Sequence, residues 1–132
     1  MSGPRDPTGD AITDPISVVE RWQERAWCHG DLDAVDDLLA DPVLRHGPSG
    51  TQRRSHAEMR SDLHRYQRAL GKPQITVHDR VADGDRVWSR LTMQGANMDT
   101  GEPRTVQWMQ MHRVAAGRIV EYWVLYATDV KW

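Results

Sequence analysis

The 132-residue sequence has no phenylalanine and a single cysteine, Cys28. One cysteine excludes an internal disulfide and any cysteine-based zinc site. Without phenylalanine, the large apolar volume has to come from six tryptophans, six methionines and the leucines. Charge of one sign is lacking too. Seventeen Lys and Arg face nineteen Asp and Glu, a formal net charge of −2, so bulk electrostatics point to neither nucleic acid nor an anionic membrane. No apolar run approaches the ~18 residues that a membrane span needs. Residues 1–13 are rich in Gly, Pro and Asp and carry no signal-peptide pattern. A flexible tail over 1–13 and a cytoplasmic protein are expected. There is no H-E-x-x-H pair, G-x-S-x-G elbow or phosphate loop, so no metal and no cofactor is expected.

The remainder has the balance of a soluble globular chain, 39% apolar and 27% charged. Its length suits one domain, over residues 14–132. Asp14-Pro15 is a helix start, an N-cap followed by proline in the first turn. Ile16, Val19, Gln23, Ala26 and Trp27 then share a helical face, with Trp22 at its edge. Gly30 closes this helix. Asp31 caps a second, with Leu32, Val35, Leu38 and Leu39 as its stripe and Pro42 as its stop. Val43–His46 reads as a short strand and residues 47–50 as a loop. Ser55 and Glu58 form a capping box for a third helix, which sets Met59, Leu63, Tyr66 and Leu70 on one side and ends at Gly71. The basic residues between Arg53 and Lys72 read as the solvated face of that helix.

After Pro73 the period changes from helical to alternating. Strands are expected around Ile75–Val81, Val87–Met93, Val106–Val114 and Arg118–Thr128, joined by hairpin turns at Asp83-Gly84, 97–101 and 115–117. The fold class is therefore α+β, three N-terminal helices packed on a curved antiparallel sheet. The last hairpin has two readings. A three-residue loop ending at Gly117 pairs Gln110 with Tyr122 and Trp108 with Val124, all on one face. A two-residue Ala116-Gly117 loop brings Met109 and Met111 to that face instead. The first is preferred.

Several stretches resemble one family. Gly30-Asp31-Leu32-Asp33 before Leu38-Leu39-Ala40-Asp41, the loop His46-Gly47-Pro48-Ser49-Gly50, the Val81–Val87 hairpin and the Gly117–Trp123 hairpin stand in the order found in SnoaL-like and ketosteroid-isomerase-like proteins. The resemblance spans about residues 14–129. It implies the nuclear transport factor 2-like cone, a cavity between helices and sheet, and dimerisation through the sheet. It also implies that Val124 and Gln110 stand where relatives carry carboxylates.

Candidate chemistry follows. His46 shares a strand face with Leu44, so an inward Leu44 makes His46 a proton-transfer base within an apolar cavity. The alternative is a buried, hydrogen-bonded structural histidine. Gln110 and Tyr122 are donors able to hold an oxyanion. Trp22, Leu44, Met59, Leu63, Trp108 and Val124 are the expected substrate-binding walls. His112 reads as structural, and Arg90 as solvated. Two function classes stand. One is a cofactor-independent enzyme acting on a small hydrophobic carbonyl compound by proton abstraction, of polyketide cyclase, isomerase or dehydratase type. The other is a non-catalytic module of the same fold that binds a small molecule or a protein. An epoxide hydrolase is a weaker third reading, because no carboxylate pair can be placed. The partners expected are a small hydrophobic ligand and a second copy meeting through the sheet face.

Overall fold

The structure, a computed structural model, describes residues 14–127 and 132. The expected tail over 1–13 lies outside the described residues. Helix α1 (Pro15–Trp22) starts on Asp14, whose carboxylate accepts from the Ser17 amide. The same rod continues as a π-helical turn over Gln23–Cys28. Trp22, expected at the edge of the helical face, is in the core, one turn after the buried Val18 on α1. Helix α2 (Asp33–Leu38) is followed directly by strand β1 (Leu39–Gly47), which runs through Pro42 instead of starting after it. Strand β2 (Gly50–Arg54) was not expected, because its polar Thr-Gln-Arg-Arg run has no apolar alternation. Helix α3 (His56–Ala69) begins with the Ser55–Glu58 capping box. Strands β3 (Gly71–Asp83), β4 (Arg86–Ala96), β5 (Pro103–Ala115) and β6 (Arg118–Ala127) complete the chain.

The architecture is α+β, with six strands in the order β2-β1-β6-β5-β4-β3. The helices are not a continuous N-terminal block, since β1 and β2 separate α2 from α3. Nor is the sheet wholly antiparallel, because β1 pairs parallel with β6. One face of the sheet packs against the helices. Val18, Val19, Trp22, Val35 and Leu38 meet Val87, Val114 and Ile119 there, all buried. A second cluster joins Leu70, the C-cap of α3, to Leu91, Met93 and Trp108. No described helix is long and apolar enough to cross a membrane.

The β5–β6 hairpin corrects the preferred register. Its loop is the two-residue Ala116-Gly117 turn, both residues at positive φ (52° and 76°), the mirror-image geometry suited to strand twist. Alanine seldom adopts this conformation, and that is why a longer loop ending on glycine looked preferable. The pairs are His112–Tyr122, Gln110–Val124 and Trp108–Tyr126. The short loop does not turn Met109 and Met111 inward, because the register shifts at Val120. Val114 pairs with Ile119 and Arg113 with Glu121, leaving Val120 as the extra residue of a β-bulge. Ile119 faces the helices before the bulge, and Tyr122, Val124 and Tyr126 do so after it.

Candidate functional site

Between the helices and the inner sheet face lies a recess of about 1070 Å³. A small deep chamber of about 30 Å³ shares Trp27, Arg45, Tyr66, Trp108 and Tyr126 with it. The π-helical turn supplies Trp27, which stacks on Tyr66 of α3 at 5.5 Å and meets Trp108 edge-on at 5.6 Å. Gln67 of α3 holds that turn in place, its Nε2 donating to the Trp27 carbonyl at 2.8 Å.

Trp22, Met59, Leu63, Trp108, Gln110, Tyr122 and Val124 line the deep chamber. Leu44 and His46 do not join them. On β1 it is Val43 that is fully buried, and with alternating side chains Arg45 points inward while Leu44 and His46 point to the opposite face. The sequence reading took Leu44, and with it His46, as inward, but the parallel pairing with β6 decided otherwise, setting Arg45 beside Tyr122 and His46 beside Trp123. His46 therefore belongs to the outer face, its side chain 25% exposed. It stacks on Trp123 at 4.7 Å. Both of its ring nitrogens are engaged, Nδ1 with Thr51 Oγ1 at 2.8 Å and Nε2 with Glu121 Oε2 at 2.6 Å. The hydrogen bond with His46, together with that from Arg113, keeps the Glu121 carboxyl below its usual pKa against the effect of burial.

Three groups in the recess were missed or undervalued. Arg45 was overlooked beside Leu44, although its alternation with Val43 was a usable signal. Burial acts to lower its pKa, but Tyr122, Tyr66 and Tyr126 outweigh that, and the net shift is upward. The guanidinium stays charged, and no described carboxylate forms an ion pair with it. Tyr126 was also missed, although Tyr122, Val124 and Tyr126 alternate along β6. Burial raises the Tyr122 pKa, with Arg45 pulling the other way, so the phenol keeps its proton. Its hydroxyl lies 3.6 Å from Met59 Sδ. His112 is the third. It is 1% exposed, stacks on Tyr122 at 5.8 Å, and its Nδ1 has no hydrogen-bond partner. Burial and then the charge of Arg80 lower its pKa to about 3, so the imidazole is neutral at ordinary pH. Arg90 lies on the outer face with Asp79, 2.7 Å away.

The recess thus combines aromatic walls, two cations without a described carboxylate partner (Arg45, and Arg104 on its exposed side), phenol and amide donors and a neutral imidazole. No aspartate or glutamate lines it among the described residues, and these contain no cluster of three or more His, Cys, Asp or Glu that could hold a metal. Such a set can bind a flat ligand and stabilise negative charge on its oxygen.

Comparison with known proteins agrees with this architecture. No curated protein sequence matches the chain. IdmH of Streptomyces antibioticus, a candidate polyketide cyclase, is 25% identical, with a TM-score of 0.73 over 86% of this chain and 91% of its own. AclR of Streptomyces galilaeus, a candidate hydroxylase, is 18% identical, with a TM-score of 0.74 over 90% and 92%. A candidate SnoaL-like polyketide cyclase from Jannaschia sp. CCS1 is 15% identical, with a TM-score of 0.74 over 95% and 91%. The sequence pattern of the SnoaL-like domain matches residues 19–122, most of the chain, and the protein belongs to that family.

Proposed function

We propose that the recess takes a small, flat, mostly apolar carbonyl compound and promotes its enolisation, the opening step of cyclase- and isomerase-type reactions. The observation that supports this best is Arg45, a cation without a carboxylate partner among the described residues, held inside aromatic walls. A charge in such a place strengthens as the ligand oxygen becomes negative. Tyr122 and Gln110 add neutral donors. His112, neutral with a free Nδ1, is the proton acceptor in this reading, in place of His46. A base this weak suits only an acidic C–H, such as one between two carbonyls. The test is hydrogen–deuterium exchange at that carbon of 2-acetyl-1-tetralone, followed by NMR. Exchange well above the buffer rate, lost in Arg45→Met, is expected. Binding without acceleration would assign the second reading, a non-catalytic module, which the lack of any lining carboxylate favours.

We also propose a homodimer through the outer face. Trp88 and Leu125 are 49% and 64% exposed there. With Met109, Met111 and Trp123 they line a hollow of about 460 Å³, an apolar surface that a second copy would cover. Sedimentation at tens of micromolar (a range of roughly this order separates weak dimers from monomers) should give a dimer, and Leu125→Asp a monomer. A monomeric wild type ends this proposal.

A further inference from the structure

Arginine donates hydrogen bonds and never accepts them. That asymmetry sets the direction of a buried polar chain behind the recess. Arg80 extends from β3 beneath α1, its side chain only 12% exposed. Its Nε donates to Ser89 Oγ at 3.0 Å, and its Nη2 donates to Oε1 of Gln23. With its oxygen occupied, Gln23 has only its amide nitrogen for β5, where Nε2 donates to Gln110 Oε1 at 3.3 Å. Gln110, 6% exposed, is left with donors alone on the chamber side. A glutamine taken by itself can present either end. Here the donor-only group at the head of the chain chooses.

Two further observations bear on what the chamber accepts. Trp108, two residues before Gln110 on the same strand face, has a buried Nε1 that donates to no described residue. The chamber, about 30 Å³, is close to the share of liquid volume taken by one water. It has room for a polar atom or two but not for a ring, which stops in the wider recess.

We propose that Arg80 and Gln23 are positioning residues that hold Gln110 as a hydrogen-bond donor, so that the end of the chamber formed by Gln110 and Trp108, as distinct from the acceptor Nδ1 of His112, selects the carbonyl or enolate oxygen of a ligand over an N–H group of the same shape. This deepens the functional reading above and rests on it.

The probes are three tricyclic compounds of matched shape. 9-Fluorenone carries only an acceptor, fluorene carries neither donor nor acceptor, and carbazole carries only a donor. NMR titration of the intact protein should rank fluorenone over fluorene by about 3–10-fold, the worth of one neutral hydrogen bond, with carbazole weakest. Arg80→Met should bring fluorenone to within about twofold of fluorene, and Arg80→Lys, still donor-only, should restore the gap. Gln23→Glu gives the sharpest result. The carboxylate still accepts from Arg80 but has no proton for Gln110, which turns its NH₂ to the carboxylate and offers its oxygen to the chamber. Carbazole should then outrank fluorenone, a reversal that a merely structural role would not produce. Gln23→Glu keeps the partner of Arg80, so it carries the test if Arg80→Met does not fold. If Gln23→Glu retains the wild-type order, or wild type prefers carbazole, the positioning proposal is wrong while the ring-binding recess stands. If none of the three probes binds, the recess reading fails and this inference fails with it.

Discussion

The two faces of the sheet each carry a histidine, an arginine and tryptophan, and they use them in opposite ways. On the outer face His46 has both ring nitrogens engaged, Arg113 pairs with Glu121 at 2.9 Å, and Trp123 covers the imidazole. On the inner face His112 has a ring nitrogen with no partner, Arg45 has no described carboxylate, and Trp108 has an unused N–H. Outside, the protein satisfies its own polar groups. Inside, it buries the imidazole nitrogen and the indole N–H and leaves them free, at a cost of about 1–3 kcal/mol for each unsatisfied group. That cost has a use only if something else completes the set. An imidazole that the protein has already satisfied is a weak candidate for chemistry, whatever its titration range. The sequence reading favoured His46 because an inward imidazole is a ready base, and it discounted His112 by its nearness to a turn. Both judgements concerned position and neither could weigh partners.

The difference between the faces hangs on the phase of β6 after its bulge. Deleting Val120 would only regularise the ladder, because Ile119, Glu121 and Tyr122 keep their partners, whereas inserting one alanine after Glu121 would turn Trp123 inward and Tyr122 outward, because side chains alternate along a strand. The expected outcome of the insertion is loss of the cooperative folding transition by circular dichroism, the largest effect of any change considered. A folded, cooperative insertion mutant would mean that the phase of β6 does not set the faces.

Truncations come next. Leu91→Ala, on the inner face and fully buried, should cost about 2–5 kcal/mol in urea denaturation. Leu125→Ala on the outer face should change the stability of a monomeric background by under about 0.5 kcal/mol. Similar costs at both sites would erase the distinction between core and surface.

Acid sharpens the comparison further. The folded pKa of His112 is pushed down to about 3, whereas an unfolded histidine takes its proton near 6.5. Between those values the unfolded chain binds more protons, so stability rises with pH and is lost on acidification from about pH 6.5 towards 3. The full swing from this one group is up to about 5 kcal/mol, of which roughly a third falls between pH 6.5 and 5. In His112→Leu that share of the slope should vanish from urea midpoints measured between pH 7 and 5. An unchanged slope would show that His112 titrates normally in the folded protein.

The smallest effects concern function and set neighbours on opposite faces against each other. Arg45→Met should weaken binding of 2-naphthoate, a flat anion, by about tenfold, since a charged hydrogen bond contributes roughly 1.5–3 kcal/mol before desolvation is subtracted. His46→Ala should leave it within about twofold. A larger loss for His46→Ala would return the chemistry to the outer face.

Much of this molecule was legible residue by residue. Asp14-Pro15 and the Ser55–Glu58 box start helices where they stand, because a cap is a local hydrogen bond and needs nothing from the rest of the chain. Alternation after Pro73 marks β4 and β5 because one sheet face is buried along them, while the alternating Val77 and Val81 of β3 are exposed. The stripe Met59, Leu63 and Tyr66, with Trp22 and Trp108, already outlined the walls of the recess. The facing of β1 and the phase of β6 were decided only in the tertiary structure. A slip of one residue exchanges the two sides of a strand at little local cost. Pairing alone resolves it, here the parallel ladder that seats Arg45 beside Tyr122 and the bulge at Val120. The direction of the Arg80–Gln23–Gln110 chain was likewise hidden, because its members stand 57 and 87 residues apart in sequence and acquire a common hydrogen-bond polarity only once the fold has put them in contact.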